Sequence, residues 1–364
     1  MEIYLVGGAV RDELLGLTPN ERDWVVVGES KASMIEKGFI PVGQFFPVYL
    51  HPKTKEEYAL ARLERSTGPG YGDFDFDTAP HVSLEEDLQR RDLTINAIAK
   101  DDQGEFIDPY GGIADLNARI LRHVSPAFSE DPLRVLRIAR LKAQLAPFDF
   151  SIADTTFELC CKMVDQNDLS ALAPERVFIE LKKALESHRP SAFFHALAKF
   201  GALEKLLPAL SAVDPAVLDP FFPAAPITRF ARLCAEAPRL AKAPFPKVAL
   251  PKTWLALANV CNRYATQLIQ IERPDAESVM TLLTAVDARR HPDRFRAALD
   301  VAGGLTNDGA SWQSRRSLWL SCLEALLQPI EPTDMDMDNT NDQATQIRAL
   351  QQSRIASALN REPV

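Results

Sequence analysis

MEIYLVGGAVRDELLGLTPNERDWVVVG, residues 1–28, decides how the chain is read. Residues 3–6 form a short β-branched and apolar run that stops at Gly7-Gly8, which predicts a buried strand closed by a tight turn. Residues 9–15 follow as a helix, with Gly16 as its stop and Thr18-Pro19-Asn20 as a turn. Residues 24–27 are a second strand. Glu21 and Asp23 stand two apart at its entrance. Side chains repeat with period two on a strand, so both carboxylates are expected on one side.

This unit suits a particular chemistry. Two glycines at a strand end let backbone N–H groups approach an anion, and a helix N-terminus adds positive potential. Arg11 in the first helical turn supplies a full charge with bidentate reach. The result is an anion cradle beside two oxygen ligands for a hard cation. Mg²⁺ is typically held by one or two carboxylates plus substrate phosphates, and paired ions can activate a hydroxyl and stabilise a leaving pyrophosphate. A tight hairpin with two solvated acids is the plain alternative.

Further motifs follow in order: RRDLTINAIA at 90–99, DPYGGIADL at 108–116, EDPLRVLRIAR at 130–140 and LAPERVFIELKKAL at 172–185. Together with the first stretch they resemble the class II tRNA nucleotidyltransferases, which share their fold with bacterial poly(A) polymerase. The match covers roughly the first 210 residues and is most similar to the enterobacterial type of CCA-adding enzyme. The resemblance implies an α+β fold: a small N-terminal nucleotidyltransferase head with a mixed sheet, then an all-helical neck, body and tail. It places the head at 1–140, including the start of a nucleotide-reading helix. The neck falls at 141–210, the body and tail at 211–330, and an acidic linker with a C-terminal helix at 331–364. It further implies Mg²⁺ on Glu21 and Asp23 as the catalytic and metal-binding pair, with ATP, CTP and the acceptor end of tRNA as partners. The family usually carries Asp at both positions; Glu21 is a departure that points to altered metal preference.

Other site residues take their expected roles from the same likeness. Gly8, supported by Gly7, and Arg11 would hold phosphates. Arg91 and Asp92 resemble a pair that contacts the sugar and phosphates of the nucleotide, with Asn96 holding their loop, while Arg90 reads as a solvated neighbour. Residues 130–141 read as a helix by pattern, which would set Asp131 and Arg134 about 60° apart around the axis. A carboxylate and a guanidinium fork could then read the Watson–Crick edge of cytosine or adenine, whose amino groups uracil and guanine lack there. The other reading of this pair is an i,i+3 ion pair. Arg137 and Arg140 match nucleotide-binding arginines and are expected at the triphosphate. Glu175 and Arg176 would brace the base-reading pair, or serve as a helix start. Glu57 reads as an edge-strand charge, or as a third acid beside the pair.

Composition bounds the rest. The 364 residues suffice for two or more domains, and 46% hydrophobic content with no apolar run of membrane length predicts no membrane association. No secretory leader is visible. Five cysteines without a CxxC pair fit a reduced cytoplasm and no zinc site. Net charge is −9, yet residues 227–296 hold 12 Lys or Arg against 6 Asp or Glu. That tract could bind an RNA backbone or simply be solvated helix faces. No DNA partner is expected, and the chain reads as a monomer.

Residues 65–80 have a mobile-loop composition, which the resemblance ties to the switch from C to A. Residues 190–210 are an apolar helix pair broken at Gly201. Residues 229–240, RFARLCAEAPRL, occupy the place of a phosphohydrolase metal motif, but Ala235 and Glu236 stand where His and Asp would be needed. Phosphatase activity is therefore expected to be absent. Three more helices are predicted at 248–272, 277–288 and 312–327. Residues 332–342 read as an acidic linker and 343–359 as a terminal helix. The alternatives to full CCA addition are an A-adding or CC-adding enzyme, a poly(A) polymerase, or a catalytically silent RNA-binding protein.

Overall fold

A computed structural model describes all residues except 20, 43–47, 67–73, 78, 167, 222, 241–243, 272–273, 332–342 and 361–364. The chain divides into two compact units, residues 1–208 with 246–249, and residues 209–245 with 250–364.

The first unit begins with β1 (Glu2–Val6), α1 (Gly8–Leu14), β2 (Asp23–Val27), α2 (Lys31–Glu36), β3 (Ile40–Val42), β4 (Val48–Leu50) and β5 (Glu57–Leu60). A separate hairpin of β6 (Leu63–Ser66) and β7 (Phe74–Asp77) follows, then α3 (Leu84–Gln89), β8 (Ala99–Lys100), β9 (Phe106–Ile107), α4 (Gly112–Ala118) and β10 (Ile120–Leu121). Seven strands form one mixed sheet in the order β3-β4-β5-β2-β1-β8-β9. β1 runs antiparallel to β2, and β2 parallel to β5, so β2 is central. Its valines Val25 and Val26 alternate between the two faces and are buried on both, each in a different apolar cluster. β-branched residues suit such a strand because both faces of its pleat are packed.

The expected mixed-sheet head is thus present. β5 is not an edge strand, however: it lies between β4 and β2. Half of the 65–80 loop, residues 67–73 and 78, lies outside the described residues, as does the 332–342 linker, and residues 65–66 and 74–77 belong to the β6–β7 hairpin.

The unit continues with α5 (Leu133–Gln144), β11 (Ser151–Ile152), α6 (Asp154–Asp165), α7 (Pro174–Leu185), α8 (Ser191–Lys199) and α9 (Ala202–Leu206). α5 packs against α7 and α8. α5 starts three residues later than its apolar pattern suggested. Pro132 explains this: the residue before a proline is pushed out of the α region, and Asp131 has φ −117° and ψ 104°.

The second unit contains α10 (Pro226–Glu236), α11 (Lys252–Gln270), α12 (Ala276–Ala285), α13 (Pro292–Gly303), α14 (Gly309–Leu327) and α15 (Gln343–Leu359). α10, α11 and α13 pack on one another, and α15 packs on α12 and α14. Its basic tract is not a solvated surface throughout. Arg229 is 1% exposed and Arg232 4%, and Arg294 donates to the Val286 carbonyl. Charge in a sequence marks a helix face as polar only where the helix is one layer deep. Here α10 has neighbours on several sides. No helix among the described residues is long and apolar enough to cross a membrane.

One glycine locks the head together. A Cβ on Gly112 would lie 2.2 Å from the Thr94 carbonyl oxygen and 2.8 Å from Ile98 Cγ1. The first of these is backbone and cannot swing away. Gly112→Ala is expected to destabilise this unit by about 3 kcal/mol. Faster hydrogen exchange of the β1 and β2 amides would report it, and wild-type protection would refute it.

Candidate active site

A cleft of about 530 Å³ opens in the first unit where β1, α1, β2 and β5 meet the segment 87–96 and α5. Gly7 terminates β1 with φ 74°, a left-handed conformation that L side chains rarely adopt. A Cβ there would come within 3.0 Å of Arg91 Nη1, and one on Gly8 within 3.4 Å of Arg11 Nη2. The double glycine therefore lets the turn sit directly against two guanidinium groups. α1 has only seven residues, so the positive potential at this turn rests on those side chains more than on a helix dipole.

The arginines are held by a chain of hydrogen bonds. Arg11 donates to Asp12 at 2.7 and 2.9 Å and to Asn96 Oδ1 at 2.9 Å. The Asn96 amide then donates to Asp92 Oδ1 at 3.0 Å. Asp92 also accepts from the Leu93 amide at 2.8 Å and from Arg137 at 2.7 and 2.8 Å. Burial alone would raise the Asp92 pKa, but Arg137, Asn96 and Arg134 outweigh it and hold the carboxyl well below the usual range. Arg91 donates to Asp87 at 3.2 Å, and Arg90 to the same carboxylate at 3.0 Å. Arg90 is therefore not a solvated neighbour: it is ion-paired to a fully buried acid. Desolvation pushes Asp87 up, while Arg90, Arg91 and Arg62 bring its pKa below the ordinary value.

On the opposite wall Asp23 is the first residue of β2, in register with Val6 on one side and Glu57 on the other. Directly opposed residues project to one face, so Asp23 and Glu57 form a carboxylate pair that lines the cleft. Asp23 is open to solvent yet lies in a concave wall. The surrounding protein desolvates it and raises its pKa; Glu21 adds to this and Arg91 opposes it. Glu21 itself sits in a bend ahead of β2, exposed and outside the cleft lining. The period-two argument fails for it because the strand begins only at Asp23.

Asp131 precedes α5 and accepts from the Leu133 amide at 3.0 Å. Arg176 from α7 grips Asp131 at 2.8 and 3.4 Å. Arg134 donates to the carbonyls of Ala127 (2.9 Å) and Arg90 (2.6 Å). Asp131 and Arg134 are thus separate, each locked by other partners, and the i,i+3 ion-pair reading is wrong. Arg140 bonds Glu180 at 2.5 Å and Gln144 at 2.6 Å. Glu175 is exposed on α7 and does not line the cleft, so of the expected pair it is Arg176 that braces Asp131 among the described residues.

The cleft therefore gathers Gly7, Gly8, Arg11, Asp23, Arg91, Asp92, Asn96, Asp131, Arg134, Arg137, Arg140 and Arg176, and leaves out Glu21 and Glu175. Asp87 and Glu180, both buried, were missed. Asp87 had a legible signal in its i,i+3 and i,i+4 spacing to Arg90 and Arg91. Glu180 is 40 residues from its partner and had none.

A strand–Gly-Gly–helix turn set against arginines and an acid pair on the next strands defines a nucleotidyltransferase head. Residues 3–122 match the family model "Poly A polymerase head domain", and residues 149–213 match "Probable RNA and SrmB-binding site of polymerase A". The chain is 47% identical over 302 residues to a CCA-adding enzyme of Coxiella burnetii, covering 81% of this chain and 79% of that one. It is 45% identical over 321 residues to a CCA-adding enzyme of Bordetella pertussis, covering 86% of each. A solved CCA-adding enzyme structure in an apo form, 21% identical, superposes with TM-score 0.76 over 99% of this chain and 89% of that one, which shows the shared fold. The chain belongs to the family of CCA-adding enzymes.

Proposed function

We propose that this chain adds C, C and A to the 3′ end of tRNA in the cytoplasm, using CTP and ATP and releasing pyrophosphate. The observation that carries the reading is the single cleft in which the Gly7-Gly8 turn and its arginines face the Asp23–Glu57 pair. The polyphosphate of the nucleotide lies along the turn, held by Arg11 and Arg91. Arg137 and Arg140 flank it, already engaged by Asp92 and Glu180. Asp92 and Asn96 act as positioning residues that aim Arg11 and Arg137.

The acids offer oxygen donors only, which suits a hard cation. No group of three His, Cys, Asp or Glu among the described residues forms a protein-only metal cage, so an ion on Asp23 would complete its shell from substrate phosphates and water, as Mg²⁺ does. Asp23 is its main holder, with Glu57 in register and Glu21 adjacent. The chemistry such an ion supplies is activation of the tRNA 3′-hydroxyl towards the α-phosphorus and neutralisation of the leaving pyrophosphate.

Base choice falls to Asp131 and Arg134. The Asp131 carboxylate accepts from the amino group that cytosine and adenine share, while Arg134 donates to a ring acceptor. Both side chains are fixed before substrate arrives, which lowers the ordering cost of recognition. Arg176→Gln should release Asp131 and relax selectivity: UTP misincorporation relative to CTP rises about tenfold, equivalent to one lost charge-assisted hydrogen bond. Unchanged selectivity would remove Arg176 from this role. The degenerate 229–240 stretch carries no phosphatase activity in this reading, since Ala235 offers no ligand atom and Glu236 is paired with Arg232 at 2.8 Å.

The test is incorporation by purified protein with Mg²⁺, CTP, ATP and tRNA transcripts ending at the discriminator base, C or CC. Completion of CCA on all three is the expected result. Addition of one nucleotide type alone indicates a restricted enzyme, long A tails a poly(A) polymerase, and no incorporation a silent RNA-binding protein.

A further inference from the structure

The first unit holds a second cavity, of about 700 Å³, lined by the end of α5, by β11 and by the starts of α6 and α8. Lys142, Arg189, His195 and Lys199 converge on it, against one lining carboxylate, Asp154. Arg189, His195 and Lys199 are exposed, and among the described residues none of their side chains has an ion-pair partner. This contrasts with the nucleotide cleft, where the arginines are tied to internal acids. Exposed cations set around one concavity repel one another unless an anion joins them. The same repulsion is visible at Lys142: desolvation lowers its pKa, and Lys199 and Arg189 lower it further, against Asp149. Both helices that begin here lack a side-chain cap, α6 at Ala153 and α8 at Pro190. First-turn N–H groups and the dipoles of helices of 12 and nine residues therefore add to the positive potential.

We propose that this cavity binds backbone phosphates of the tRNA substrate, at a site separate from the nucleotide cleft, with Arg189 and Lys199 as its principal contacts. The proposal rests on the tRNA reading above and adds a docking site to it. Its principal contacts and all its lining residues except Lys142 lie within the segment 149–213 that matches the RNA-binding family model, and it moves the main electrostatic footprint away from the basic tract 227–296, part of whose charge is buried. Contacts to phosphate carry no sequence information and are paid back as counterion release, so they are read by salt dependence.

The experiment compares full-length wild-type protein with R189Q/K199Q, both exposed positions outside the active cleft. tRNA affinity is measured without nucleotide at several salt concentrations, and the KM for CTP in the incorporation assay. The expected result is a Kd for tRNA raised about tenfold and a log–log salt slope reduced by about 1.5, from two lost contacts at roughly 0.7–0.9 each. The KM for CTP should stay at its wild-type value. Wild-type Kd and slope in the variant would overturn the site even if CCA addition is confirmed. Loss of CTP incorporation by wild-type protein would instead overturn the enzymatic reading while leaving the binding measurement valid. A variant that binds tRNA normally but loses binding of inorganic phosphate would show a free-anion site, and would also overturn the proposal.

Discussion

Asp23→Ala is expected to lower kcat for nucleotide incorporation by about 10³-fold or more while leaving the fold intact. The magnitude corresponds to about 4 kcal/mol of transition-state stabilisation, the scale on which a metal-ligating or charge-stabilising group acts. The fold should survive because Asp23 is exposed, starts β2 rather than lying within it, and is raised rather than lowered in pKa by its surroundings. A carboxylate that its environment disfavours contributes nothing to stability in its ionised form, so its removal relieves rather than strains the head. Glu57→Gln should cost less, about 10-fold to 100-fold, and Glu21→Gln less again, because Glu57 lines the cleft and Glu21 does not. Steady-state incorporation with all three variants sets this order. A Glu21 effect larger than that of Asp23 would show that the bend residue, not the strand residue, holds the ion.

Asp92→Ala is expected to destabilise the first unit by about 2–4 kcal/mol and to raise the KM for CTP about tenfold. Removing one partner of a buried ion pair typically costs about 3–5 kcal/mol; the Arg137 side chain is 39% exposed and recovers part of its hydration, which lowers the figure. The loss also orphans the Leu93 amide and frees Asn96, so Arg11 loses its fixed aim. The pH dependence has a definite sign. Asp92 has a depressed folded-state pKa, so the stability it supplies is full above the unfolded value of about 3.9 and decays as pH falls below it. The stability gap between wild type and Asp92→Asn should therefore be constant from pH 8 to 5 and shrink below about pH 4. Hydrogen exchange of the β1 and β2 amides reads this unit separately from the other. A gap independent of pH would mean that Asp92 acts by shape and not by charge.

Much of the fold is legible in the sequence because its signals are local. Gly7-Gly8 ends a β-branched run, Gly201 splits an apolar helix pair, and the terminal helix expected at 343–359 is α15 (Gln343–Leu359). The candidate site was legible where charged residues cluster in short motifs, as in RRDLTIN. It was illegible where partners are distant. The Asp23–Glu57 register depends on a parallel pairing across 34 residues, and Arg140–Glu180 on helix packing. Apolar periodicity extends the expected helix over Asp131, whereas Pro132 fixes where α5 begins. Burial of Arg229 and Arg232 could not be read from charge, since only the packing of α10 against α11 and α13 decides which residues face inward.

The central claim is that one cleft binds the triphosphate along the Gly7-Gly8 turn and presents its α-phosphorus to Asp23. A crystal structure with bound CTP tests it most directly. The account predicts phosphate oxygens within hydrogen-bond reach of Arg11 and Arg91, with the cytosine edge against Asp131 and Arg134. CTP bound elsewhere, or with its base at Asp23 and its phosphates at Asp131, would contradict it.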